Sequence, residues 1–182
     1  MKKRFFLISV FALLALENIA AQSNRLFTAD NDLSSSFIHK VYADSQNIIW
    51  VATEDGLNKY DGAKFTIFKN RENDSLSLPH NYVRTIFESK DRQLFFGLFN
   101  GLALYERGSR TFQRIPLILE NQNEYPSHVT AMAELKNGKI IIGTAGQGLF
   151  DYNPEDKTGH VSYLNKAMES NFIEHLYHDN LG

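Results

Sequence analysis

The clearest structural pattern in the sequence is the stretch Ile48-Ile-Trp-Val-Ala-Thr-Glu-Asp-Gly-Leu-Asn-Lys-Tyr60. It begins with largely apolar residues, breaks at Glu54-Asp55-Gly56, and continues with Leu57 and Tyr60. Glycine adopts backbone angles that other residues avoid, so it suits a tight turn between two apolar runs. The pattern therefore predicts a buried strand, a turn and a second, antiparallel strand.

The same unit recurs twice, as Leu94-Phe-Phe-Gly-Leu-Phe-Asn-Gly-Leu-Ala-Leu-Tyr105 and as Ile140-Ile-Ile-Gly-Thr-Ala-Gly-Gln-Gly-Leu-Phe-Asp-Tyr152. The shift is 45 residues from Ile38 to Val83 and 46 from Val83 to Val129. A fourth copy begins at Asn171-Phe-Ile173. The positions that recur, and that we assign to the structural repeat, are Trp50, Gly56, Leu57, Tyr60, Phe95, Gly97, Gly101, Tyr105, Ile141, Gly143, Gly148 and Tyr152.

Four short strands every forty-five residues are typical of a β-propeller blade. We therefore predict an all-β fold: a β-propeller with three four-stranded blades plus the first strand of a fourth, an incomplete ring. Trp50, Phe95 and Ile141 should lie in the cores between sheets. The alternative is a single antiparallel sandwich whose internal similarity is accidental. The predicted segments are blade 1 (33–77), blade 2 (78–125), blade 3 (126–168) and a truncated blade 4 (169–182).

An incomplete ring leaves a terminal blade uncovered, because propellers close with about four to eight blades. If roughly 400 Å² of apolar surface is bare, the lost stability is on the order of 10 kcal/mol. We therefore expect a fragment of a longer chain, or an open arc that needs partners. Residues 22–32 would supply the lead strand, the outer strand of a closing blade in the longer protein. Expressed alone, the chain should aggregate through its open sheet edges.

The amino terminus has the pattern of an export signal. Lys2, Lys3 and Arg4 precede an apolar run from 5 to 16, and small residues end at Ala21. This predicts a signal peptide over residues 1–21, with an uncleaved anchor as the alternative. The net charge of −2 provides no basic footprint for nucleic acid, and the absence of cysteine excludes disulfides and thiolate chemistry.

The first copy resembles the two-component regulator propeller repeat. The resemblance is carried by Leu33-Ser-Ser-Ser-Phe-Ile-His-Lys-Val-Tyr-Ala-Asp44, by Ile49 to Asp61, and by Phe65. The second copy departs from the family pattern with Leu98 and Glu106, and the third has Ile141 in place of the tryptophan.

The resemblance implies the periplasmic sensor region of a hybrid two-component sensor histidine kinase that is anchored in the inner membrane. It also implies an oligosaccharide ligand, a phosphorelay to transcription and a dimeric parent protein. The partners would be the remaining blades and the kinase domains, with no direct nucleic acid contact. Kinase activity would lie outside these 182 residues, so this segment itself is not expected to be an enzyme.

Ligand-binding residues are predicted in the loops that lead into each first strand and that join the second and third strands. Both sets of loops emerge on the same propeller face, and this face also carries Ser35, Ser36, His80 and His128. Planar polar side chains with an aromatic platform suit sugars. The candidates are Asn81, Tyr82, Arg84, Asn100, Glu54, Asp55 and Gln147.

The sequence gives little support for phosphate binding or metal binding. Gly143 to Gly148 should be a turn rather than a phosphate loop, because a strand and not a helix follows. The histidines show no metal-ligand spacing, so no metal and no cofactor are expected. Two other function classes stay open: a secreted carbohydrate-active propeller enzyme, and a secreted scaffold or binding protein.

Overall fold

The computed structural model describes residues 26–30 and 32–177. The predicted signal peptide therefore lies outside the described residues. Antiparallel strands account for most of the ordered structure, and a short 3₁₀ helix, Tyr163–Ala167, follows the last strand. The strands are β1 Ile38–Ala43, β2 Ile49–Thr53, β3 Gly56–Tyr60, β4 Phe65–Phe68, β5 Val83–Glu88, β6 Leu94–Leu98, β7 Gly101–Glu106, β8 Thr111–Ile115, β9 Leu117–Ile118, β10 Val129–Glu134, β11 Ile140–Thr144, β12 Leu149–Asn153 and β13 Thr158–Val161.

The strands form three sheets in sequence order. The first sheet is β1-β2-β3-β4, the second is β5-β6-β7-β8, and the third is β10-β11-β12-β13-β9. Each first pair of strands shows the same register irregularity near its start, for example between Val83 and Thr85. The repeat seen in the sequence is therefore a structural repeat of one four-stranded unit.

Aromatic and aliphatic side chains fill the spaces between the sheets. Trp50 is fully buried, and its ring centroid lies 5.2 Å from that of Phe96 and 5.0 Å from that of Tyr105. Phe95 occupies the equivalent position in the next core, 5.1 Å from Tyr152. Ile141 is buried in a smaller cluster with Leu149 and Ile173. Because the second sheet has a core on each face, the two-sheet sandwich is excluded.

Glycine allows the sheets to approach closely at two equivalent positions. A Cβ atom on Gly97 would lie 2.5 Å from Thr85 Cγ2 and 2.8 Å from Val129 Cγ1. A Cβ atom on Gly143 would lie 2.6 Å from Ile173 Cγ2. Since Ile173 covers Gly143 as Val129 covers Gly97, the fourth copy starts where the next sheet would stand. Among the described residues it forms an isolated bridge between Ala145 and Phe172 rather than a strand.

Three features differ from the sequence-based expectations. Strand β9 pairs in parallel with β13, so two residues from the segment 78–125 join the third sheet and give it five strands. The 3₁₀ helix was not predicted. Residues 26–28 form no strand in this chain. Instead, the ring of Phe27 lies 5.2 Å from that of Tyr60 and 5.0 Å from that of Phe65, on the first sheet. Their pairing in a longer protein stays a prediction.

Polar contacts join the sheets at one end of the stack, where β1 turns into β2 and β5 into β6. We call this the fastened end. Asp44 has a fully buried side chain and accepts hydrogen bonds from Trp50 Nε1 at 2.9 Å and Arg107 Nη1 at 2.8 Å. Arg107 Nη2 also donates to Glu88 Oε1 at 2.7 Å. The backbone N–H of Ser45 donates to Glu88 Oε2 at 2.8 Å, which joins the first sheet to the second.

Candidate functional site

The opposite end of the stack, which we call the loop end, brings together the segments that precede each first strand and the turns between second and third strands. Within each sheet, a turn N–H donates to the carbonyl before the first strand. These bonds run from Glu54 to Phe37 at 3.2 Å, from Phe99 to Tyr82 at 3.1 Å and from Ala145 to His128 at 2.9 Å. The predicted location of both loop sets on one face follows from this pairing.

The turn glycines fix these loops further. Gly56, Gly101 and Gly148 have φ angles of +132°, +141° and +73°, which side chains other than glycine rarely adopt. The N–H of Gly56 donates to Asn81 O at 2.7 Å, and the N–H of Gly148 donates to Asn171 O at 2.9 Å. Each of these two turns is therefore tied to the segment that follows its own sheet.

Asp55 and Asn81 meet in a hydrogen-bond network at the loop end. Asn81 Nδ2 donates to Asp55 Oδ1 at 3.1 Å, and Asn81 Oδ1 accepts from the N–H of Asn70 at 2.7 Å. Lys69 Nζ donates to Asp55 Oδ2 at 2.7 Å. Contacts within the chain therefore occupy both side chains, and these contacts hold the first turn against the second sheet. A role for Asp55 and Asn81 in ligand binding stays a prediction.

Tyr82 lies at the centre of a group of rings contributed by all three sheets. Its ring centroid lies 4.6 Å from that of His39, 5.8 Å from that of Phe99 and 5.6 Å from that of His128. Phe99 also lies 5.3 Å from His128 and 5.7 Å from His80, and its side chain is 53% exposed. We call these five rings, together with Arg84, the histidine–aromatic cluster.

The electrostatics of the cluster keep two of its histidines neutral at pH 7. Burial lowers the pKa of His39, the Arg84 charge lowers it further, and Glu54 opposes both. Burial also lowers the pKa of His128, and Arg84, His39 and His80 add to that effect. In both cases the cause is the cost of placing a positive charge in a partly desolvated site beside other cationic groups.

Several polar atoms of the loop end have no protein partner. His39 Nε2, His128 Nε2 and Asn100 Oδ1 are buried, yet they make no hydrogen bond with the described residues. His80 differs, because its Nδ1 accepts a hydrogen bond from the Tyr82 N–H at 2.9 Å. Buried polar groups are nearly always hydrogen-bonded, so these atoms are available to a bound molecule or to water.

The predicted site residues divide into separate groups. Tyr82 and Arg84 belong to the histidine–aromatic cluster, Glu54 acts on His39, and Asn100 follows Phe99 in the same turn. Gln147 lies in the third turn, where its backbone N–H donates to Thr144 Oγ1 at 3.1 Å. The strand that follows this turn is β12, as expected for a structural turn rather than a phosphate loop.

His39 and Phe99 were missing from the predicted set, whereas His80 and His128 were placed on the predicted binding face but not among the candidate ligand-binding residues. One signal was present in the sequence: Phe37, Tyr82 and His128 occupy the same repeat position. Rings at one position of successive repeats lie near each other when the sheets stack. In the described part of the chain, no group of three or more histidine or acidic side chains is arranged to hold a metal ion.

The fold and the loop end define a class: an all-β protein of propeller type, built from repeated four-stranded sheets and bearing a ring-lined surface. Residues 32–55 match the family model described as two component regulator propeller. The resemblance of the first copy to that family is therefore confirmed. Among residues 26–30 and 32–177, no helix is long and apolar enough to cross a membrane.

Similarity to known proteins extends over larger regions of the chain. The chain is 38% identical over 76 residues, 40% of its length, to Histidine kinase P4 of Formosa agariphila, and the aligned part is 6% of that kinase. The extracellular domain of a protein described as the hybrid two component system BT4673 from B. thetaiotaomicron matches 87% of the chain with a TM-score of 0.73 and 19% identity. The corresponding domain of BT3049 matches 81% with a TM-score of 0.70 and 18% identity.

The chain spans 23% and 21% of these two solved domains and a far smaller share of the kinase. It is therefore similar in sequence to part of a histidine kinase, and similar in fold to part of the extracellular domains of hybrid two-component systems. At these identities the structural matches establish the propeller-type fold alone.

Proposed function

We propose that the chain is the extracytoplasmic, ligand-sensing propeller segment of a hybrid two-component sensor histidine kinase. In this proposal the segment detects oligosaccharides in the periplasm, and the parent protein, dimeric and anchored in the inner membrane, signals by phosphorelay to transcription. The kinase domains and the remaining blades are its partners within the parent chain. The family match and the similarity to Histidine kinase P4 support this assignment.

The histidine–aromatic cluster at the loop end is the observation that supports ligand sensing by this segment. A sugar presents apolar C–H faces and polar hydroxyl edges, and it binds where flat rings and unpaired hydrogen-bonding atoms lie side by side. Tyr82 and Phe99 supply the flat rings. The buried nitrogens of His39 and His128 and the amide oxygen of Asn100 supply unpaired polar atoms.

Calorimetric titration of the chain with a panel of oligosaccharides tests this proposal, and the chain is fused to a solubilising carrier protein because its open sheet edges favour aggregation. We expect saturable binding by at least one oligosaccharide, and we expect Phe99→Ala to weaken it roughly fivefold because an aromatic platform contributes about 1 kcal/mol. The matched control is Tyr163→Ala, which removes a ring that is 70% exposed outside the cluster. Absence of binding across the panel, or equal loss in both variants, would contradict the proposal.

The location is tested separately with a reporter enzyme that is active only after export. Fused after Gly182, the reporter should be active with the whole chain and inactive when residues 2–21 are deleted. Activity that survives the deletion would argue against the export signal.

A further inference from the structure

We propose that the histidine–aromatic cluster binds acidic oligosaccharides, those that carry carboxylate or sulfate groups, in preference to neutral ones. This inference rests on the proposed function, because it names the class of sugar that the same surface would take. The proposed preference follows from the positive charge of the cluster, whereas the arrangement of the rings alone would suit neutral and acidic sugars equally.

Arg84 provides the first observation. Its side chain is half-buried, yet it forms no ion pair or hydrogen bond with the described residues. Arg107, at the fastened end, instead contacts two carboxylates, Asp44 and Glu88. A partly desolvated guanidinium without a counter-ion attracts an anion, and its planar fork suits the two oxygens of a carboxylate or sulfate.

The neighbours of Arg84 provide the second observation. His39 holds the same repeat position in β1 that Arg84 holds in β5, and the rings of His39 and His128 both lie against that of Tyr82. The charge of Arg84 lowers the pKa of both histidines, and His39 and His80 lower that of His128 further. Glu54 is the acidic group that acts on His39. The carboxylate of the adjacent Asp55 is already held by Lys69 and Asn81. The cluster therefore concentrates groups that carry or can accept a positive charge, beside rings on which a sugar can stack.

Protonation of the histidines should be linked to binding. In the free protein the pKa values of His39 and His128 lie below the ordinary value, so both rings are neutral at pH 7. An anion bound beside them stabilises the protonated forms and raises both pKa values. Acidic sugars should therefore bind with proton uptake, and their affinity should rise as the pH falls from about 7.5 to 5.5, where sugar carboxylates stay ionised.

Calorimetric titration of the whole chain, fused to the same carrier protein, with matched pairs of sugars tests the inference. The pairs are trigalacturonic acid against its methyl ester, and a sulfated galactan tetrasaccharide against its desulfated form. We expect at least one acidic member to bind tenfold or more tightly than its neutral partner at pH 6. The pair in which this happens distinguishes carboxylate from sulfate recognition.

Single substitutions test whether the preference for acidic sugars depends on the charge of the cluster. Arg84→Gln should reduce the preference for the acidic member severalfold, because it should weaken the acidic member far more than the neutral member. Lys64→Gln removes a positive charge from the β3–β4 turn, at the fastened end, and should change neither. The double variant His39→Gln, His128→Gln should lose the pH dependence while Arg84 keeps part of the preference.

The outcomes are distinguishable. Equal or tighter binding of the neutral members would overturn the inference and leave the proposed oligosaccharide sensor in place. Absence of binding by all four sugars and by the wider panel would overturn both. An acidic preference that Arg84→Gln leaves undiminished would show that another site recognises the charge, and would also overturn the inference.

Discussion

The two ends of the stacked sheets are built by different rules. At the fastened end one contact recurs in the repeat: the N–H of Ser45 donates to Glu88 at 2.8 Å, and the N–H of Lys90 donates to Glu134 at 2.8 Å. At the loop end, the residue directly before the first strand of each sheet differs from repeat to repeat: it is Phe37, Tyr82 or His128. The contact that recurs at the fastened end holds each sheet to its neighbour. The position that varies at the loop end has no such common structural role, so its side chains can contact a ligand. We therefore expect stability to depend on the fastened end and binding on the loop end.

Among the variants that test this difference, Asp44→Ala is expected to have the largest effect on stability. The change removes a buried carboxylate that holds Trp50 Nε1, Arg107 Nη1 and the backbone N–H groups of Gln46 and Ile48. We expect the free energy of unfolding to fall by about 3–5 kcal/mol, because the partners are left buried without their acceptor. Urea denaturation measures the loss.

The control for Asp44 is Asp55→Ala at the loop end. The Asp55 side chain is 49% exposed, and its ion pair with Lys69 is a surface contact. This control should cost less than about 1 kcal/mol. Similar costs for the two aspartates would erase the proposed difference between the ends.

The next largest effect is expected for Arg107→Met. Methionine keeps much of the apolar stem, but the carboxylates of Asp44 and Glu88, whose side chains are 0% and 6% exposed, lose their shared cation. We expect a loss of about 2 kcal/mol, below that for Asp44→Ala because Trp50 and two backbone groups still satisfy Asp44. Lys69→Met, which breaks an exposed pair at the loop end, should cost about 0–1 kcal/mol.

Acid should weaken the fastened end first. Burial alone would raise the pKa of Asp44, but the hydrogen bonds from Trp50, Arg107, Ile48 and Gln46 outweigh it and hold this pKa below its ordinary value. A depressed folded pKa contributes stability that is fully present above the unfolded value, near 4, and is lost as the pH falls through the folded value. Between pH 5 and pH 3 the urea midpoint should drop, and Asp44→Asn should show a shallower drop. Equal slopes would place the acid-sensitive group elsewhere.

Much of the fold was predictable from the sequence, and the reason lies in local pattern. Strands such as β2 and β3 follow from apolar runs around a glycine turn, and the recurrence of Trp50 as Phe95 and Ile141 revealed the stacked sheets. Strand β9 was not predictable, because it is two residues long and its partner β13 lies about forty residues away in sequence. A short non-local pairing leaves almost no periodic signal.

The candidate site was only partly predictable. Tyr82 and Arg84 were identified because loop residues of the right chemical type are expected at a binding face. His39 was missed because it lies inside β1, and a strand residue next to the loops gives no loop signal. Its approach to Tyr82 and the nearness of His128 depend on how the three sheets stack, and the sequence pattern carries no signal of that stacking.

The smallest expected effect on stability is that of Phe99→Ala, although this change should weaken binding. Phe99 is 53% exposed at the loop end, whereas Phe96, three residues earlier in β6, is fully buried against Trp50. We expect Phe99→Ala to change the free energy of unfolding by less than about 0.5 kcal/mol, as for a surface substitution, and Phe96→Ala to cost about 3–5 kcal/mol. Thermal melting and sugar titration of both variants provide the comparison. If Phe99→Ala destabilised the fold as strongly as Phe96→Ala, the loop-end rings would be part of the core. If the Phe99→Ala variant melts at the same temperature as the unsubstituted chain but binds sugar more weakly, stability and recognition belong to opposite ends of the same sheets.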